Sequence, residues 1–327
     1  MRKILFIYLT MTLLIKSSNA QIGANMVNID IYADSMSLVH YLELVEEGDT
    51  IPARIRTDKE KSPFLFQSMI DKAKELNRIA MLMNREVEMC YTLNMWADGI
   101  VNLDGVRQLK ESGCYVPIVE VGNEYYSIIK DKYGFISWDF YELEFTPIIS
   151  KIKESYPDII FIFPACPSPT ELGIGAMNPE HSNWNTDLSL YIQTHENCEY
   201  VWHTYYNKFV FSQLAKTESK GLTKQNSYNP LDFNLYLNSF YKPYFDSCAY
   251  KNTLWNSVNE YCINKFIGKD GYFTEYGTVN SGSIRNTWAY SALTFKDALE
   301  NREKVKRLYI HSGIALTGIQ SPAGKYD

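Results

Sequence analysis

Short apolar runs alternate along this chain with stretches whose apolar residues recur at three- and four-residue steps. Eight runs read as strands: Met26–Tyr32, Ile51–Arg56, Val87–Met95, Val116–Gly122, Asp158–Phe163, Glu199–Tyr205, Tyr272–Glu275 and Arg307–His311. The runs Ile159–Phe163 and Val116–Val121 are almost continuously apolar, as a strand is when helices cover one face and a closed interior the other. Between the runs, Phe66, Ile70, Ala73, Leu76, Ala80 and Met83 form one helical stripe, and Trp288, Ala292, Phe295 and Leu299 form another. Such stripes are faces packed on a sheet and carry no chemistry of their own. A helix over 103–111 stops at Gly113, and Pro157 follows a helix through Ile148–Lys153, both ordinary stop signals.

Strands alternating with helices predict βα units and a parallel sheet. The expected fold is therefore α/β, a single-domain (β/α)8 TIM barrel with long loops after strands 5 and 6. Those loops are 164–187, which runs through His181 and Trp184, and the polar stretch 208–232; loops of this length shape clefts. Residues 1–20 read as a secretory signal: Arg2 and Lys3, an apolar core from Ile4 to Ile15, then the small residues Ser18 and Ala20 before Gln21. Lys16 ends that core too early for a membrane anchor. The predicted organisation is thus a signal peptide over 1–20 and a barrel domain over 21–327, with export from the cytoplasm. Little chain follows strand eight, so either the barrel is truncated at its C-terminus or it closes unusually.

Charge narrows the partners. The formal net charge is −6, and removing Arg2, Lys3 and Lys16 with the signal makes it −9. An acidic chain with no basic block is poorly suited to phosphate backbones, so no nucleic acid is expected. No second long apolar stretch is present, so no stable membrane insertion is expected after signal removal. Aromatic residues make up 14% of the chain, with 25 Tyr and 6 Trp, which suits sugar-stacking surfaces and tyrosine-rich cores alike. The six cysteines, Cys90, Cys114, Cys166, Cys198, Cys248 and Cys262, permit disulfides in an exported chain. Cys248 with Cys262 ranks first as a pair, and buried free thiols are the alternative. Their spacing matches no zinc site.

Two glutamates carry the candidate chemistry. Glu124 follows the apolar run Tyr115–Val119 in the segment Val121-Gly122-Asn123-Glu124, and Glu275 closes Gly271–Glu275. In a parallel barrel the βα loops converge at the C-terminal ends of the strands, and function gathers there. Two carboxylates at the ends of the fourth and seventh strands would face each other across that mouth. Glycosidic bonds are cleaved by such a pair, one group protonating the leaving oxygen and the other attacking carbon or activating water. The competing reading makes either glutamate a cap of the following helix. Asn123 beside Glu124 could bond a sugar 2-hydroxyl.

The triplet Gly122-Asn123-Glu124, together with Glu275 within Thr274-Glu275-Tyr276-Gly277, resembles the clan A retaining glycoside hydrolases. That resemblance implies a (β/α)8 barrel, Glu124 as acid/base, Glu275 as nucleophile and Asn123 at the reacting sugar. It also implies supporting roles for His203 and Tyr205 on the sixth strand and for Arg56 at the end of the second, whose charge would hold Glu275 ionised. Relatives often carry a tryptophan after strand eight, where this chain has His311-Ser312-Gly313, so the sugar platform would come from Trp96, Trp184 or Tyr276. The implied activity is retaining hydrolysis of a poly- or oligosaccharide with no metal or organic cofactor. Glu124 is expected to hold its proton near neutral pH through burial or the Glu275 charge. The alternative is a barrel that binds carbohydrate without cleaving it.

Overall fold

The computed structural model describes residues 22–25, 39, 42–43, 50–57, 63–167, 178–206, 260–278 and 305–311. Eight parallel strands close into a barrel in chain order: β1 Ile22–Asn25, β2 Thr50–Arg56, β3 Glu86–Thr92, β4 Tyr115–Glu120, β5 Ile160–Pro164, β6 Cys198–Tyr206, β7 Gly271–Thr278 and β8 Arg307–His311. Between them run α1 Pro63–Leu82, α2 Gly99–Glu111, α3 Tyr125–Tyr133, α4 Trp138–Ser155 and α5 Pro179–Thr194. Among the described residues no helix is long and apolar enough to cross a membrane.

Alternation along each strand sorts side chains into two environments. One parity packs outward against the helices: Ile51, Ala53 and Ile55 on β2, and Val87, Met89 and Tyr91 on β3, join Phe66, Ile70, Ala73 and Leu76 of α1 in the large core. The other parity fills the barrel in layers. Glu88 and Arg307 pair near the N-terminal ends of their strands, through Arg307 Nε at 2.6 Å and Nη2 at 2.7 Å. Above them Cys90, Ile118, Ile162, Val201, Tyr272 and Tyr309 form a separate apolar plug. Above the plug the same parity is polar or charged, with Arg54, Arg56, Thr92 and Glu120 all buried. The apolar layer separates the Glu88–Arg307 pair from the polar layer, which lies toward the C-terminal ends of the strands.

Several expectations need correction. The first strand is Ile22–Asn25, and the predicted Met26–Tyr32 lies outside the described residues. β1 closes the barrel by pairing Ala24 with Ala53 on β2 and Ile22 with Leu308 on β8. β4 stops at Glu120, short of the predicted Gly122, and β7 runs past Glu275 to Thr278. The segment read as a loop over 164–187 contains the start of α5, whose N-cap Asn178 accepts from Glu180 N at 2.9 Å with Pro179 at the first helical position. Cys90, Cys114, Cys166 and Cys198 are buried free thiols. Cys262 is buried as well, whereas Cys248, the signal segment 1–20, the stretch 208–232 and the stripe at 288–299 lie outside the described residues.

Candidate active site

The turn leaving β4 places the first glutamate. Val121 N still bonds to Ile162 O of β5 at 2.9 Å, and Tyr141 of α4 donates its hydroxyl to Val121 O. Gly122 then takes φ 76°, and a Cβ there would meet Met95 Cγ at 2.8 Å. Only glycine suits both the backbone and the space. Glu124 occupies the N-cap position of α3 with φ 47° and ψ 39°, yet its side chain caps nothing. A left-handed glutamate that declines to cap is strained toward another purpose, and its carboxylate turns into the barrel mouth.

Beneath it lies a guanidinium with no exposed surface. Arg54 gives Nε to Glu120 Oε2 at 2.5 Å, Nη2 to Glu120 Oε1 at 2.6 Å and to Asn123 Oδ1 at 2.7 Å, and Nη1 to Glu275 Oε1 at 2.8 Å. Arg56, two residues on and of the same parity, donates Nη1 to the same Glu275 oxygen at 2.8 Å. With Oδ1 of Asn123 held by Arg54, its Nδ2 hydrogens have no partner among the described residues and can serve a ligand hydroxyl.

A β-bulge delivers the second glutamate. Against β6, Trp202 pairs with Phe273 but His203 with Glu275; against β8, Phe273 pairs with Leu308 but Tyr276 with Ile310. β7 therefore carries one extra residue at 274–275, and two consecutive side chains reach the interior that a regular strand would send opposite ways. Glu275 meets the arginines. Thr274 donates its hydroxyl to Glu120 Oε1 at 3.2 Å and lies 2.9 Å from His203 Nε2. His203 Nδ1 sits 3.0 Å from Glu124 Oε1 and 3.9 Å from Glu275 Oε2.

Three carboxylates and three cationic groups share this layer, and their fields set the protonation. Burial pushes Glu120 up, but the Arg54 charge and the His203 contact overrule it and hold the carboxyl at about 2. Burial works against a charged His203, yet Glu275, Glu120 and Glu124 together raise it to about 9. Glu124 is lowered: burial raises it, and its hydrogen bond and attraction to His203 prevail over burial and the Glu275 charge. This corrects the expectation that Glu124 itself keeps the proton in the resting protein; that proton belongs to the Glu124–His203 pair. A carboxylate oxygen of Glu124, one of Glu275 and a His203 ring nitrogen lie within 4.8 Å of one another. Two guanidinium groups and an imidazolium already neutralise those carboxylates, so the cluster lacks the excess negative charge that attracts a divalent ion. It is equipped for proton transfer and nucleophilic attack.

Of the residues singled out in the sequence, Glu124, Glu275, Asn123, His203 and Arg56 come together here. Trp184 does not: it is 1% exposed, donates Nε1 to Pro164 O at 2.8 Å and stacks on Tyr141, so it is core and offers no sugar platform. Trp96 is 48% exposed on the loop after β3. Tyr205 and Tyr276 lie on β6 and β7, and their side chains are outside the described residues. Arg54, Glu120, Thr92 and Thr274 went unrecognised. Their signal was available, since Arg54 shares parity with Arg56, and Glu120 is a charge inside an otherwise apolar run.

No protein-family model matches the sequence, and no curated protein matches it. Solved structures of similar overall shape include the endoglucanase catalytic domain of Thermobifida fusca in complex with cellotetraose, at 14% identity and TM-score 0.47, covering 94% of this chain and 88% of that one. The Thermotoga maritima structure in complex with mannotriose is at 12% identity and TM-score 0.47, covering 96% of each chain.

Proposed function

We propose that this chain is a secreted glycoside hydrolase that cleaves a poly- or oligosaccharide with retention of configuration. One observation carries the reading: two carboxylates, one from the turn after β4 and one from β7, meet with oxygens within 4.8 Å of each other at the mouth of the barrel. Retaining enzymes place their carboxyls about 5–5.5 Å apart, whereas inverting enzymes leave about 6.5–9.5 Å for a water. Glu275, held ionised by Arg54 and Arg56, is the nucleophile. Glu124, whose side chain is 38% exposed against 3% for Glu275, stands where a leaving group would depart and is the acid/base.

Glu275 attacks the anomeric carbon while the leaving oxygen takes a proton from Glu124. Water then attacks the glycosyl ester as Glu124 accepts its proton, freeing the sugar and Glu275. Asn123 Nδ2 donates to a sugar hydroxyl beside the reacting carbon. The apolar leader over 1–20 supports export.

The test combines a panel of aryl glycosides and plant and algal polysaccharides with proton NMR of the first-formed anomer. Retention is expected. Glu275→Gln should lose at least about 10³-fold in kcat on every substrate. Glu124→Gln should lose about 10²–10⁴-fold where the leaving group is poor and far less where it is a nitrophenolate, which departs without a proton. An inverted product would remove the nucleophile assignment, and binding without turnover by the wild type would make the barrel a carbohydrate-binding protein.

A further inference from the structure

Glu120 is fully buried and four residues upstream of Glu124, so no ligand touches it, yet it is the hub of the polar layer. Both its oxygens accept from Arg54, at 2.5 and 2.6 Å. Oε2 also accepts from the Thr92 hydroxyl at 3.1 Å, and Oε1 from the Thr274 hydroxyl at 3.2 Å. His203 Nε2 is 3.5 Å from Oε1. A continuous chain of contacts thus runs from Glu275 through Arg54, Glu120 and His203 to Glu124.

We propose that Glu120 is a positioning residue which, through the Thr274 hydroxyl, fixes the hydrogen on His203 Nε2, so that Nδ1 alone exchanges a proton with Glu124. This deepens the hydrolase reading and rests on it for its catalytic meaning. Donors and acceptors decide where the hydrogens lie. An ionised Glu120 can only accept, so the single hydrogen of Thr274 goes to Glu120. The Thr274 oxygen then offers lone pairs to His203 Nε2 at 2.9 Å, and only an N–H there completes a hydrogen bond. The 3.5 Å approach of Nε2 to Glu120 Oε1 favours the same placement more weakly. Nδ1, 3.0 Å from Glu124 Oε1, is left as the variable position. Either an imidazolium donates to ionised Glu124, or a protonated Glu124 donates to neutral imidazole, across one unchanged contact.

The consequence is a proton store coupled to the chemistry. Among the described residues, the charged groups facing His203 are Glu120 on β4, Glu124 at the start of α3 and Glu275 on β7, with Arg54 and Arg56 on the far sides of Glu120 and Glu275. In the resting site the proton sits on Nδ1. As Glu275 becomes a neutral glycosyl ester, the imidazolium loses an attracting charge. Its Nδ1 proton passes to Glu124 Oε1, and Glu124 passes one to the leaving oxygen. The imidazole ends neutral, Glu124 ends ionised and the departing alcohol is complete. Attack of water on the ester restores the Glu275 carboxylate and returns the proton to the pair.

Long-range ¹H–¹⁵N spectra of the full chain, titrated from pH 5 to 10 and assigned with His203→Gln, read the tautomer directly and need no substrate. The neutral ring should be the Nε2–H form, with a midpoint near the raised value of about 9. Thr274→Val, nearly isosteric, should let both tautomers coexist and lower the midpoint. Glu120→Gln should do more, because its amide can donate to Thr274 and turn that hydroxyl toward Nε2, reversing the tautomer. The alkaline limb of kcat/KM should move down with the midpoint in both variants, which a merely structural role would not produce. An Nδ1–H ring in the wild type, or a midpoint unmoved in Thr274→Val, overturns the proposal even if Glu120→Gln fails to fold. A wild type with the fixed tautomer but no turnover refutes the hydrolase reading alone; full turnover with the other tautomer refutes the proton assignment alone.

Discussion

Arg54 has no exposed side-chain surface, so its charge must be neutralised where it stands, and Glu120 and Glu275 do this from opposite sides. Removing one member of a buried ion network leaves the others uncompensated, which costs about 3–5 kcal/mol. Arg54→Leu should therefore lower the melting temperature by roughly 10 °C by calorimetry, at about 2–4 °C per kcal/mol for a barrel of this size. Arg54→Lys cannot reproduce a fork aimed at two carboxylates and an amide, so it should recover less than half of that loss. Equal stability of Arg54→Leu and wild type would show that the network contributes specificity rather than stability. Arg54 was legible in principle, because residues two apart on a strand share a face and Arg56 had already been singled out. What concealed it was its position inside the strand, away from the strand end where Arg56 stands and where functional side chains were sought.

Elements act here through their irregularities. The β4–α3 turn exists because Gly122 accepts a positive φ beneath Met95. Gly122→Ala should cost about 1–3 kcal/mol. It should also reduce kcat more than it raises KM, since Asn123 and Glu124 hang from that turn; an unchanged kcat would show that the turn does not set their geometry. The β7 bulge is the second device, bringing Thr274 and Glu275 to the same layer. Nothing in Gly271–Thr278 announces it, because period-two alternation assigns consecutive residues to opposite faces and only pairing with β6 and β8 reveals an extra one. Trp184 illustrates the converse. Its place in a Pro-rich segment read as cleft, but α5 begins at Pro179 and turns the indole onto Trp138, Tyr141 and Tyr126. Trp184→Ala should destabilise by about 3–5 kcal/mol in denaturant melts, with KM for any sugar nearly unchanged; a raised KM at unchanged stability would restore it as a platform.

At the scale of the molecule, stability must follow pH through the charged layer. Glu120 falls from 4.5 to about 2 on folding, so its contribution is complete above about pH 4.5 and is lost as pH falls toward 2. His203 rises from 6.5 to about 9, so its contribution is complete below about pH 6.5 and is lost as pH rises through 9. The melting temperature should plateau between these limits and fall on both sides. In His203→Gln the alkaline decline should flatten while the acid decline persists, and an identical alkaline slope in both proteins would remove His203 as its source. The sequence alone determined the barrel order and the candidacy of both glutamates, because period and strand-end position are local properties of a chain. Tertiary structure decided the register that closes β1 on β8, the extra residue in β7, the burial of Trp184 and the ring of charges that moves the resting proton from Glu124 toward His203. Those depend on which distant strands lie side by side, and on fields that act only over a few ångströms through a water-poor interior.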